Sequence, residues 1–194
     1  MNRPNLNTLS KEVYQANKEK GFHDKEHSNE TCLMLVITEL SEAVEADRKG
    51  KRADIDSFNL LSEKSKSRTG NPNYFNEIAF CRRIKDTVED ELADAVIRLL
   101  DLAGLRVFII RDYSDRETTY KAANKNYGDK NFAEIIMAVT RTLAAYGKDV
   151  SIIINQAILS IEWICEHLSI DLWLHVELKL KYNQSRPYKH GKAY

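Results

Sequence analysis

Two short patterns in this chain could do chemistry. They are Glu39-Leu40-Ser41-Glu42 and Glu91-Leu92-Ala93-Asp94. Each is a pair of carboxylates three residues apart inside a helical, apolar-periodic segment. On a helix, residues i and i+3 share a face, so each pair points both acids one way. Two such helices side by side would gather four carboxylates in one small volume. Left unneutralised, that arrangement repels itself. A hard divalent cation with oxygen ligands would stabilise it.

The donor set restricts the metal. Redox di-metal bundles use Glu-x-x-His pairs from two helices, and no histidine here follows a glutamate by three residues. Glutamate-led acid pairs occur at Glu39/Glu42, Glu42/Glu45 and Glu91/Asp94. An all-oxygen set suits Mg²⁺, with Mn²⁺ an alternative, better than a redox iron pair. Mg²⁺ held by carboxylates keeps waters and bridges substrate phosphates, which points to phosphate chemistry. No P-loop, dinucleotide fingerprint, nucleophile elbow or zinc spacing competes.

Positioning these acids is work for helices. Leu6, Leu9, Val13 and Ala16 predict a first helix from Leu6 to about Lys20, with Gly21 as its cap. The polar link from Phe22 to His27 reads as a loop. Asp24 and His27 could ligate a metal in principle, but solvated side chains are the commoner outcome there. Ser28 or Asn29 caps a second helix that runs to about Lys49. Its stripe is Leu33, Val36, Ile37, Leu40 and Val44, and Met34 and Leu35 fall off it. Apolar residues nearly all round mean burial on several sides, here suggesting an oligomer interface. Glu39 and Glu42 flank that region, where an acid is costly unless paired or metal-bound.

Between Lys51 and Asn73 the periodicity fades. Ser, Lys, Asn, Gly and Pro predict a flexible insertion with one short helix near Ile55 to Leu61. It reads either as a basic loop closing over an anionic substrate or as a solvated connector. Helical character is expected from Tyr74 to about Ile110. There Val88, Leu92, Ala95, Leu99, Leu102 and Ala103 form an apolar stripe. Glu91, Asp94, Arg98 and Asp101 form a charged one, and its three acids and one Arg do not neutralise each other. A short helix is expected near Glu117 to Lys125. Three more follow: Phe132 to Tyr146, stopped by Gly147; Asp149 or Ser151 to His167; and Ser169 or Asp171 to Lys181. Trp163 and Trp173 read as packing residues. Lys179, Asn183 and Arg186 are spaced to share a face of the last helix, Pro187 stops it, and a basic tail follows.

The chain of 194 residues is long enough for one domain with its own core. Gly 7 and Pro 3 favour long helices over a turn-rich β fold. With Lys+Arg 29 against Asp+Glu 29 the formal charge is zero, which argues against broad nucleic-acid binding. Cys32, Cys81 and Cys165 are widely spaced in apolar sequence and are expected to be small buried hydrophobes. The N-terminus lacks the apolar run of a signal peptide, and no apolar stretch reaches the ~18–20 residues of a membrane span. A soluble, cytoplasmic protein without a membrane partner is expected.

The runs LMLVITELSEAVEADRKG and KDTVEDELADAVIRLLDLAG together resemble the MazG-like nucleotide pyrophosphohydrolases, an all-α family marked by an ExxE…ExxD arrangement. The ending KLKYNQSRPYKHGK is similar to the C-terminal segment of members of that family. The resemblance covers about half of the chain. It implies a single MazG-like all-α helical bundle over residues 1–194, with a long segment between the acid pairs and extra helices at 132–167. It further implies Mg²⁺-dependent hydrolysis of a nucleoside triphosphate to the monophosphate and pyrophosphate. Glu39, Glu42, Glu91 and Asp94 would be the metal ligands and catalytic acids. Lys179, Asn183 and Arg186 would touch phosphate or substrate, and the expected assembly is a homodimer or homotetramer. The alternative is a helical interaction or regulatory module that keeps the bundle without the chemistry.

Overall fold

The structure, a computed structural model, describes residues 3–112, 116–145 and 149–188. Among these residues there are nine helices and no strand. They are α1 (Leu6–Glu19), α2 (Asn29–Arg48), α3 (Ile55–Thr69), α4 (Glu77–Arg83), α5 (Val88–Arg106), α6 (Arg116–Tyr127), α7 (Phe132–Leu143), α8 (Val150–His167) and α9 (Leu172–Ser185). The expected stop of α7 at Tyr146 and Gly147 lies outside the described residues, as does the basic tail from Lys189.

Helix α5 is the axis. Its expected stripe is fully buried, and Val88, Ala93, Val96 and Leu100 on its other sides are buried too. It packs against α1, α2, α8 and α9, and α7 rests on α2 and α8. The helices after residue 132 therefore complete the bundle within one chain. On α2, Leu33, Val36 and Leu40 are buried, whereas Met34 is 56% exposed. Trp163 and Trp173 are buried, as expected of packing residues. Gly104 marks where α1 and α5 approach most closely. A Cβ there would lie 2.5 Å from the carbonyl oxygen of Ser10 and 2.6 Å from Cβ of Tyr14.

The helix starts follow side-chain chemistry. Asn5, Ser28, Asn131, Asp149 and Asp171 each accept a hydrogen bond from a backbone N–H of the first turn that has no helical partner. Asn131 and Glu134 form a reciprocal capping box. Gly21, at φ +80°, takes the left-handed position just past α1.

Three expectations are corrected. The segment at 51–73, read as a loop with a short helix, holds the 15-residue helix α3, capped by Asp54 and ended by Gly70 at φ +67°. Its polar sequence hides the helix because only Phe58 and Ser62 are buried. Phe58 joins a small second apolar cluster with Ala79, Phe80, Ile84 and Leu178. The single helix expected from Tyr74 to Ile110 is broken between Arg83 and Val88. Asp86 there takes a left-handed φ of 60°, and the Thr87 hydroxyl accepts from Asp90 N and donates to Ile84 O. Hydrophobic periodicity is blind to that cap. Finally, Cys81 is exposed rather than buried, its Sγ 3.6 Å from the Tyr182 hydroxyl. It sits on the outer side of α4, whose apolar contacts are made by Ala79 and Phe80.

Candidate metal centre

The break before α5 decides where the acids fall. Glu89, Asp90 and Glu91 occupy the first turn of α5, where the partial positive charge of the helix terminus favours carboxylates. Glu91 and Asp94 then face α2, the neighbour that carries Glu39. One carboxylate oxygen from each of Glu39, Glu91 and Asp94 lies within 4.8 Å of the others. Glu39 and Glu91 are each 4% exposed. Three of the four expected acids are thus brought together from two helices. Glu42, one turn further along α2, is exposed and lies outside that group; it acts on Glu39 through charge.

Two cations enter this acidic volume. Arg98 donates from Nε to Glu39 Oε1 across the α2–α5 contact. Lys179, brought in by α9, places Nζ 2.7 Å from Asp94 Oδ2 and 2.7 Å from Asp90 Oδ2. Lys179 is therefore packed among acids inside the bundle, 6.0 Å from the centre of the Phe80 ring. The expectation that the charged stripe on α5 lacks enough basic partners is amended: the missing cation comes from another helix.

Neutralisation stays incomplete. Among the described residues the Glu91 carboxyl has no hydrogen bond or ion pair; burial pushes it up to about 8 against the nearby charge of Lys179, with Asp90, Asp94 and Glu39 adding to the rise. Burial also raises Glu39 above the usual glutamate value in spite of Arg98. Burial works against the Lys179 ammonium, but Asp94 and Asp90 outweigh it and hold its pKa above the ordinary lysine value.

Beside the acids runs a cleft of about 90 Å³ whose wall includes Asn17, His23, Asp94, Arg98, Asn183 and Arg186. Asp94 belongs to both cleft and acid cluster. Of the three residues expected to share a face of the last helix, Arg186 instead follows the end of α9 with extended backbone; Asn183 and Arg186 reach this cleft and Lys179 does not line it. Arg186 lies over the Tyr182 ring, 5.6 Å from its centre. His23 Nε2 is 2.9 Å from Asp101 Oδ1, which fixes its ring against the wall. His27 also lines the cleft.

Asp90 and its pairing were not legible in the chain. It precedes Glu91 but points about 100° away around the helix, and no local spacing connects it to Lys179. Arg98 was visible in the charged stripe, yet its partner on α2 was not.

The residues fit a hard divalent cation. Every donor is a carboxylate oxygen, the three converge from rigid helices, and among the described residues Glu91 has no direct ion pair. No helix among the described residues is long and apolar enough to cross a membrane. Compared with protein-family models, with curated proteins and with solved structures, the chain matches none.

Proposed function

We propose that this chain is a Mg²⁺-dependent nucleoside triphosphate pyrophosphohydrolase. The observation that supports this reading above all is the convergence of Glu39, Glu91 and Asp94 beside a cleft walled by Arg98, Asn183 and Arg186. In it, Glu39, Glu91 and Asp94 hold the ion (Mg²⁺, with Mn²⁺ as a substitute), and Glu42, outside that group, adds negative charge near Glu39. The bound ion supplies Lewis-acid neutralisation of phosphate charge and a water of lowered pKa. Arg186 and Asn183 bind and orient the polyphosphate, the guanidinium making charge-assisted bonds to phosphate oxygens. Electrostatic stabilisation of the spread phosphoryl charge then carries most of the acceleration. The test is a panel of ribo- and deoxyribonucleoside triphosphates with Mg²⁺, read by pyrophosphate release. Turnover of at least one, abolished in Asp94→Asn, is expected; no pyrophosphate from any would overturn the proposal.

A second reading is favoured by the internal cations. Arg98 and Lys179 let the acid cluster fold without an ion, so a non-catalytic helical interaction module is compatible with the same bundle. Calorimetry that finds neither Mg²⁺ nor nucleotide binding would select it. Assembly as a homodimer or homotetramer belongs to the proposal too. The exposed Met34 face of α2 is where it would form, and light scattering reads the mass.

A further inference from the structure

Lys179 stands between two carboxylates with unequal surroundings. Asp90 is 1% exposed, and its Oδ2 accepts from Lys179 Nζ at 2.7 Å and from Asp86 N at 3.0 Å. Its Oδ1 is buried without a hydrogen-bond partner. Asp94 has a side chain 21% exposed, opens onto the cleft, and belongs to the converging acid group. The lysine itself is 5% exposed and sealed under Phe80. Its ammonium is thus out of line for an incoming phosphate and in line with the two acids.

A lone buried ammonium beside Asp94 would cancel the charge that a cation needs there. A second buried carboxylate on the same ammonium cancels the lysine instead. On the reading that Glu39, Glu91 and Asp94 take a divalent cation, we infer that Asp90 and Lys179 form a neutral positioning pair, in which Lys179 anchors one oxygen of Asp94 and Asp90 offsets the lysine's charge, so that Asp94 keeps its negative charge for the metal. Neither member touches the substrate. The pair works as the outer partners of a metal ligand do, orienting it and setting its charge. Its site beside Phe80 also ties the α4–α9 contact to the metal centre, because Phe80 stacks on Tyr182 at 4.6 Å between ring centres.

The experiment is Mn²⁺ binding to the full chain without nucleotide, followed by calorimetry and by the loss of free-ion electron paramagnetic resonance signal. Asp90→Asn is expected to weaken Mn²⁺ about tenfold or more, the usual scale for loss of an outer partner. Asp90→Glu, which retains the charge, is expected to stay nearer to wild type than Asp90→Asn. The double variant Asp90→Asn/Lys179→Met removes both charges at once but also the anchor on Asp94, so it is expected to bind Mn²⁺ more tightly than Asp90→Asn and more weakly than wild type. If Asp90→Asn fails to fold, as a thermal melt would show, Asp90→Ser takes its place in the same comparison: a double variant tighter than the single one supports the inference, and one equally weak overturns it. Unchanged Mn²⁺ affinity in Asp90→Asn, or a double variant as weak as the single one, overturns it and leaves the metal reading standing. Wild-type protein that binds no Mn²⁺ overturns both.

Discussion

Glu39 on α2 and Arg98 on α5 are joined by a hydrogen-bonded ion pair, with the glutamate side chain 5% exposed and the arginine 27%. The arginine is the only cation in direct contact with Glu39 among the described residues. Taking it away leaves a buried acid with no counter-charge, which costs more than an exposed pair and less than a fully buried one. Arg98→Met should lower stability by about 1–3 kcal/mol. For a chain of this size each kcal/mol corresponds to about 2–4 °C in Tm. Added Mg²⁺ should recover part of that loss, because a bound cation replaces the guanidinium. A melt of the variant that is indifferent to Mg²⁺ would count against Glu39 as a ligand.

Glu91 contributes to the pH response of the metal-free protein, together with Asp90 and Glu39, which burial shifts the same way. The Glu91 pKa is raised by burial from 4.5 to about 8, so folding favours the neutral acid. The stability this contributes is fully present below 4.5 and is lost as pH rises through 8. Urea unfolding in chelator should therefore show stability falling across that window. Glu91→Gln should flatten the slope, and the wild type with Mg²⁺ should flatten it too. An unaltered slope in Glu91→Gln would assign the titration to another group.

Glu42 and Glu91 should separate in a metal titration. Glu91 lies inside the converging group and Glu42 outside it, exposed on α2. Glu42→Gln is expected to weaken Mn²⁺ by less than tenfold, by removing a nearby charge in high dielectric. Glu91→Gln is expected to bring binding below detection. Equal losses in the two variants would show that Glu42 moves in to ligate.

Gly104 should not tolerate a side chain. Even alanine would drive a methyl group against the Ser10 carbonyl and Tyr14. Gly104→Ala gains helix propensity, about 1 kcal/mol in an unobstructed helix. Here the close approach of α1 should reverse the sign, giving a net loss of about 1–3 kcal/mol from overpacking. A raised Tm would mean that α1 can shift outward at no cost.

Much of the bundle was legible because helix periodicity reports which face of a segment is apolar. The stripes on α1, α2 and α5 and on the last three helices needed no tertiary knowledge, and neither did the i, i+3 pairing of the acids. Helix α3 was legible only as a short helix near Ile55 to Leu61, for the same physical reason. It buries few side chains, so its pattern resembles a solvated loop, and its helicity rests on the Asp54 cap and on Phe58 docking against Phe80 and Leu178. The break at Asp86 was missed because a left-handed residue and a threonine cap leave no periodic trace.

By itself the sequence determined that the protein is helical, that two acid pairs lie on helix faces, and that their donors are all oxygen. Each of these follows from residue type and spacing within one helix. Only the tertiary structure decided which acids meet, that Glu42 stays outside, that Arg98 neutralises Glu39, and that Lys179 reaches back across 89 residues to Asp90. Those contacts depend on the register between packed helices, which is set by the summed fit of their cores. No single residue announces it.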